Sequence, residues 1–110
     1  MLNYIVWSIA GSDCTGGAGI QADVKTIHNL GAEVCTVITA VTAQNSLGVQ
    51  EINAVNNDVL LSQFASLEAD KTAQVIKIGL LVNSEQVELV AEKLVAYKSS
   101  WPVPPNVVYD

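Results

Sequence analysis

A chain of 110 residues, half of them hydrophobic and 15% charged, suits one small, well-packed domain and argues against disorder. Five lysines, no arginine and eleven acidic residues give a formal charge of −6, which would repel a polyanion and argues against nucleic-acid binding. The amino-terminal segment has neither a basic leader nor an apolar run long enough for a membrane, and the two cysteines form no disulfide framework, so we expect a reduced, cytoplasmic setting.

Four apolar runs alternate with three helix-like patterns along the chain, beginning with residues 4–10. This nearly continuous β-branched run is typical of a strand that is covered on both faces. Apolar residues then recur at helical spacing over residues 20–27, and Gly31 is a predicted helix stop. Residues 33–43 indicate a second buried strand, and residues 44–55 a loop followed by a short alternating segment.

The next helix and strand are predicted from capping residues and apolar spacing. Residues 56–70 begin with asparagines suited to capping a helix, and Leu60, Phe64 and Leu67 lie on one helical stripe. Residues 74–82 indicate a third strand.

A last helix and a last strand complete the pattern. Ser84 is the predicted cap of the helix, and the proline-broken segment 99–105 links it to a strand at 106–109. On this helix we expect Val87, Val90, Ala91 and Leu94 to face inward and Glu85, Glu88 and Glu92 to face water.

The alternation of strands and helices predicts an α/β fold, a mostly parallel sheet with flanking helices, formed by a single domain over residues 1–110. The chain stops at Asp110, directly after the apolar part of its fourth strand. In open α/β sheets the ligand crevice lies at the carboxyl ends of the strands. We therefore expect that the natural protein is longer or that this chain is a truncated product.

The stretch "GSDCTGGAGIQAD", residues 11–23, follows the first strand and raises the question of a binding loop. A phosphate loop needs a lysine and a hydroxyl residue after its last glycine, but Gly19 is followed by Ile20 and Gln21. The dinucleotide spacing of glycines is also missing. Two interpretations remain: a tight turn with glycines at positive φ, or a close approach of a flat ligand at the helix start. Asp23 then either points into a pocket or is an ordinary surface aspartate.

Five further positions carry polar or reactive groups. Thr42 and Gln44 lie at the carboxyl end of the second strand and can each donate and accept hydrogen bonds, although the residues alone favour an ordinary polar loop. Lys77 within an apolar strand needs an acidic partner or an exit to solvent, and an edge or snorkelling position is favoured. Cys14 is expected to be exposed without being a nucleophile, and Cys35 to be a small buried hydrophobe.

Three motifs, "IAGSDCTGGAGIQADVKT", "GAEVCTVITAVTAQNSLGVQ" and "KIGLL", together resemble the hydroxymethylpyrimidine and phosphomethylpyrimidine kinase family of thiamine biosynthesis. The resemblance runs from Tyr4 to Asp110. It implies the amino-terminal half of a ribokinase-like fold, on the substrate side, and a small aminopyrimidine as the ligand.

The resemblance also implies roles for individual residues. Gln44 of "TAQN" hydrogen-bonds the aminopyrimidine, and Thr42 offers backbone groups to the ring. Leu80 stands where the family usually has methionine, and Cys14 replaces a common proline. The glycine-rich motif contributes Gly11, Ala18 and Asp23 to the substrate cavity.

Members of this family transfer the γ-phosphoryl group of ATP, with magnesium, to the hydroxymethyl group and then to the monophosphate. Their catalytic and ATP-binding motifs lie in the carboxyl-terminal half, and none occurs here, although Asp110 resembles the aspartate of the family's "DP" motif. The resemblance thus implies a chain that is inactive alone. A half sheet also exposes an apolar strand edge and helix faces, so we expect self-association as a homo-oligomer, or a need for the missing half to cover them. Charge and apolar run length argue against nucleic-acid and membrane partners. The alternatives are a noncatalytic pyrimidine-binding or assembly module and a pyridoxal kinase-like enzyme.

Overall fold

The computed structural model describes residues 4–110, so the first three residues of the amino-terminal segment considered above lie outside the described part. A five-stranded sheet carries three helices. The strands are β1 Ile5–Asp13, β2 Glu33–Asn45, β3 Gly48–Ala54, β4 Val75–Ile78 and β5 Asn106–Tyr109, and the helices are α1 Gly19–Asn29, α2 Asn57–Asp70 and α3 Ser84–Ser100.

The sheet has the order β3-β2-β1-β4-β5, with β1 at its centre. Strands β2, β1, β4 and β5 are parallel, which confirms the predicted α/β class with a mostly parallel sheet. The prediction missed one strand: β3 pairs antiparallel with β2 at the sheet's edge, where only a loop and a short alternating segment were expected. Almost all of β3 is exposed, so its apolar residues follow no core pattern.

The two faces of β1 are covered by different helices, as its continuous apolar run predicted. Successive side chains of a strand point to opposite faces. The Trp7 ring lies on one face, with its centroid 6.3 Å from that of Phe64 in α2 and 5.6 Å from that of Tyr97 in α3. Ser8, on the other face, hydrogen-bonds Asp23 of α1. Helices α2 and α3 therefore cover the main core, and α1 covers the opposite face.

The helix ends test the capping predictions. Gly31, at a φ of +88°, follows the end of α1 as predicted. The predicted asparagine cap of α2 is also confirmed, since the Asn56 side chain accepts a backbone N–H of the first turn at 2.9 Å. The prediction for α3 is wrong by one residue: Asn83, not Ser84, caps the helix and accepts the N–H of Gln86 at 2.9 Å.

The inward face of α3 also differs from the prediction. Val87 is 49% exposed and Ala91 is exposed, because the neighbouring position, Gln86, turns inward instead. The fully buried Gln86 amide donates to the backbone oxygen of Thr39 at 2.8 Å and accepts the N–H of Val82 at 2.9 Å. The buried side chains of α3 are Gln86, Val90, Leu94 and Tyr97, and the three glutamates face solvent as expected.

Two strands differ in extent from their predictions. The third predicted strand, residues 74–82, shrinks to the four residues of β4. The second predicted strand was expected to be buried throughout. Its last part pairs with the edge strand β3 instead, and Val41 there is 59% exposed. In the part of the chain that is described, no helix is both long and apolar enough to cross a membrane.

Candidate functional site

A cavity of about 200 Å³ opens where β1, β2 and β4 end at their carboxyl termini. Five of the six residues singled out from the sequence lie on its wall: Gly11, Ala18, Thr42, Gln44 and Leu80. The other lining residues are Ala10, Ser12, Asp13, Gly19, Lys77, Gly79 and Asp110. The topology thus brings the glycine stretch, the end of β2 and the segment after β4 together at one place.

The glycine stretch packs its backbone closely against β1. Gly16 and Gly19 have φ values of +80° and +59°, as the tight-turn interpretation requires. A β-carbon added at Gly19 would lie 2.3 Å from the backbone oxygen of Gly11, so no larger residue fits there without movement. A β-carbon on Gly11 would meet Leu80 Cδ2 at 3.0 Å, inside the cavity. Glycine at both positions therefore preserves the loop and the space beside it.

Asp13 holds this loop, a role that was not predicted from the sequence. Its side chain is buried, and Oδ1 accepts the backbone N–H of Thr15 at 2.9 Å and the Thr15 hydroxyl at 2.8 Å. The hydrogen bond from the backbone N–H of Thr15 lowers the pKa of Asp13 most, and the bond from the Thr15 hydroxyl lowers it next most. Together they hold this pKa below its usual value, although burial raises it. An aspartate two residues before a threonine, at the end of a strand, is typical of a side-chain-supported turn and could have revealed this role.

The opposite wall is formed by uncharged polar groups at the end of β2. The Thr42 hydroxyl donates to the backbone oxygen of Ser12 at 2.8 Å and accepts the Gln44 amide at 2.6 Å. Cys14 Sγ lies 3.1 Å from the backbone oxygen of Gln44. These contacts join the glycine stretch directly to the end of β2, and they place donors and acceptors without net charge at the cavity wall.

Lys77 lies on β4, an interior strand of the sheet, so the prediction that favoured an edge or snorkelling position is wrong. Its Nζ lies 2.8 Å from Asp23 Oδ2 and 3.1 Å from Asp110 Oδ2. Burial is the largest single effect and lowers the pKa of Lys77, but the hydrogen bonds and charges of the two carboxylates together outweigh it and raise the pKa above its usual value. A lysine is tolerated here because acidic partners reach it from α1 and from the end of β5.

Asp23 is the one predicted site residue that does not line the cavity. Its Oδ2 accepts the Ser8 hydroxyl at 2.6 Å as well as the Lys77 ammonium. Asp23 therefore touches the cavity through Lys77, and direct contact between Asp23 and a ligand stays a prediction.

The two cysteines are free thiols with different surroundings. Cys14 is exposed, as expected. Cys35 is only partly buried against the core, where burial raises the pKa of its thiol. Within residues 4–110, no group of three or more histidine, cysteine, aspartate or glutamate side chains could hold a metal ion.

Comparison with solved structures shows that this fold is shared with one class of proteins, the ribokinase-like vitamin kinases. The crystal structure of a phosphomethylpyrimidine kinase from Clostridium difficile 630 superposes with a TM-score of 0.88 at 36% identity, covering 97% of this chain and 44% of that chain. An ADP complex of Bacillus subtilis pyridoxal kinase gives a TM-score of 0.85 at 30% identity, covering 99% of this chain and 40% of that chain.

The particular family follows from the sequence matches. A family model described as phosphomethylpyrimidine kinase matches residues 13–110. A hydroxymethylpyrimidine/phosphomethylpyrimidine kinase of Escherichia coli strain K12 is 46% identical over 103 residues, which cover 94% of this chain and 37% of that protein. The chain belongs to the phosphomethylpyrimidine kinase family, and it spans little more than a third of that curated relative's length.

Proposed function

We propose that this chain supplies the pyrimidine-binding part of a kinase of thiamine biosynthesis, which phosphorylates hydroxymethylpyrimidine and its monophosphate with ATP. The observation that carries the proposal is the convergence of Gly11, Ala18, Thr42, Gln44 and Leu80 on one cavity, since the family resemblance assigns each of them to the substrate. The match of residues 13–110 to the family model supports it independently.

The walls of the cavity suit a small, flat, uncharged heterocycle. Its volume of about 200 Å³ is below the roughly 300–1,000 Å³ of pockets for drug-sized ligands, which favours a single ring with short substituents. Gly11 and Ala18 leave room for the ring's faces, and Leu80 offers an apolar surface. The amide of Gln44 and the groups of Thr42 can pair with the ring nitrogens and the amino group.

A kinase of this family implies ATP as the phosphoryl donor, and magnesium is proposed with it. Three charged side chains line the cavity wall. Asp13 accepts a hydrogen bond from Thr15 within the glycine loop, and Lys77 and Asp110 form an ion pair with each other. This set does not fit a nucleotide triphosphate with its metal ion. We therefore derive no transfer step from these residues, and we expect the 110-residue chain to bind pyrimidine without phosphorylating it.

Isothermal titration of the 110-residue chain with hydroxymethylpyrimidine tests the proposal, with Gln44→Leu as the variant. Gln50→Leu is the matched control, because Gln50 is an exposed glutamine on β3 outside the cavity. Loss of one ligand hydrogen bond and an unpaired ring nitrogen should weaken binding of Gln44→Leu by about tenfold or more and leave Gln50→Leu unchanged.

Absence of binding by the unmodified chain, or equal binding by Gln44→Leu, would count against the proposal. Pyridoxal in the same titration separates the two vitamin kinase activities, since tighter binding of pyridoxal would favour the pyridoxal kinase-like alternative. A coupled assay with ATP checks the expected lack of turnover.

The partners of the chain are also proposed. The end of β2 and strand β3 expose Val41, Leu47, Val49 and Ile52 on one hairpin, a concentration of apolar side chains that favours contact with another protein surface. We expect a homo-oligomer. The cytoplasmic setting is inferred from the composition of the chain.

A further inference from the structure

We infer that Lys77 is a further ligand-binding residue, whose ammonium donates a hydrogen bond to an oxygen atom on the substituent of the bound pyrimidine. The inference rests on the proposed function, because it takes the cavity to hold a substituted pyrimidine. It assigns the substituent to the β4 side of the cavity and the ring to the β2 side.

The first step is the number of donors on Lys77. A lysine ammonium has three N–H donors and no acceptor. Asp23 and Asp110 each take one, at 2.8 Å and 3.1 Å, and Lys77 itself lines the cavity wall. The side chains of Lys77 and Asp23 are only 18% and 20% exposed, so the pair is held within the fold. One donor of a fixed ammonium is thus left for a ligand.

The second step is the space beside the ammonium. A β-carbon added at Gly79 would lie 3.1 Å from Lys77 Nζ and 3.0 Å from the β-carbon of Ala10. Glycine at this position therefore lets the ammonium lie against the main chain at the cavity wall, without a side chain between the ammonium and the cavity.

The third step is the position of Lys77 relative to Gln44. Gln44 is on β2 and Lys77 on β4, and β1 lies between the two strands. Two strand spacings put these walls roughly 10 Å apart. A heterocycle that pairs with Gln44 and Thr42 at one wall therefore points its far substituent toward Lys77 at the other.

Titration with two ligands tests the inference on the 110-residue chain: the hydroxymethylpyrimidine and its analogue with a methyl in place of the hydroxymethyl group. A hydrogen bond from a charged donor should make the unmodified chain prefer the hydroxyl ligand by about 10- to 100-fold. In Lys77→Met the preference should fall below about twofold, because this variant has no N–H to donate.

Lys93→Met is the matched control. Lys93 also forms a partly buried ion pair, at 3.1 Å from Glu68, but it lies outside the cavity. This variant should retain the full preference for the hydroxyl ligand. Where Lys77→Met fails to fold, Gly79→Ala keeps both charges of the ion pair and crowds Nζ, and its preference should fall toward that of a chain without the donor.

The outcomes distinguish the inference from the proposed function. If neither pyrimidine binds the unmodified chain, the proposed function fails and the inference fails with it. If both bind equally well, or if Lys77→Met or Gly79→Ala keeps the full preference, the inference alone is overturned.

Discussion

Replacement of Gly19 by alanine tests whether the close packing of the glycine stretch maintains the cavity. Gly19 has a φ of +59°, and an added β-carbon would lie 2.3 Å from the backbone oxygen of Gly11. That oxygen belongs to β1, beyond the last pair of β1 with β4 at Ile9 and within the register shift against β2 between Ala10 and Ser12. The loop and this end of the strand must therefore move apart to make room.

The expected loss of stability has two parts. An alanine in the left-handed region costs about 1–2 kcal/mol. Moving the loop also strains the hydrogen bonds by which Gln21 ties α1 to β1, 2.8 Å to the N–H of Asp13 and 2.7 Å to the hydroxyl of Ser12, and each is worth about 1 kcal/mol. We expect Gly19→Ala to lower the free energy of unfolding by about 2–4 kcal/mol.

Gly31→Ala separates these two parts. Gly31 has a φ of +88°, and its added β-carbon meets nothing within 4 Å, so this variant should lose only the conformational part, about 1–2 kcal/mol. Urea denaturation followed by tryptophan fluorescence measures both variants, because Trp7 and Trp101 pack together in the core. Equal losses for Gly19→Ala and Gly31→Ala would refute the close-packing argument.

Four further outcomes are expected. Gln86→Leu should lower the free energy of unfolding by about 2–4 kcal/mol in urea denaturation, because it strips partners from buried backbone groups, whereas Gln50→Leu should change it by less than about 0.5 kcal/mol. The pKa of Asp13 is lowered from 3.8 on folding, so its ionised form stabilises the fold above about pH 3.8 and this contribution is lost as the pH falls further. The stability difference between the unmodified chain and Asp13→Asn should therefore stay constant from about pH 6 to about pH 5 and shrink as the pH falls through 3.8, and a difference that stays constant at lower pH would contradict it. Alkylation followed by mass spectrometry should modify the exposed Cys14 faster than Cys35, and bound hydroxymethylpyrimidine should slow only Cys14; equal slowing of both thiols would point to a global effect. Sedimentation velocity should show a concentration-dependent homo-oligomer, and a stable monomer at all concentrations would oppose the proposed self-association.

The central part of the fold could be predicted because each of its residues has one structural role, such as core packing, a turn or a helix cap. The continuous apolar run of β1 is needed on both faces, and the stripe of Leu60 and Phe64 faces a single core. Gly31 and Asn56 likewise act locally, through a positive φ and a helix cap. Such signals depend on neighbours in sequence, so they are visible before the fold is known.

The errors occur where tertiary contacts overrule the local pattern. The polar Gln86 of α3 faces inward because its amide donates to a backbone oxygen of β2 and accepts a backbone N–H from the segment before α3. A prediction of the inward face from hydropathy therefore included Val87 wrongly. Strand β3 pairs at an edge with both faces largely exposed, so hydrophobic periodicity carries no information about it. Asp13 is a different case, since its partner Thr15 is only two residues away and the local pattern of a side-chain-supported turn could have revealed its role.

The site shows the same division. Family resemblance predicted which residues converge, and five of them meet at the cavity. The pairing of Lys77 with Asp23 could not be predicted from the sequence, because 54 positions separate the two residues in the chain. Only the packing of α1 across the sheet brings the Asp23 carboxylate over β4.

This pairing changes how an Asp23 variant is to be interpreted. In Asp23→Ala, the ammonium of Lys77 would keep only the exposed Asp110 as a partner, while the Ser8 hydroxyl would lose its acceptor. An ammonium that is 18% exposed then gains by moving toward solvent or toward Asp110, away from its fixed position on the cavity wall. Weaker pyrimidine binding in Asp23→Ala is therefore expected whether or not the carboxylate touches the ligand. Direct contact by Asp23 requires instead that Asp23→Asn, which can still accept from Ser8 and Lys77, loses affinity for the methyl analogue as much as for the hydroxyl ligand.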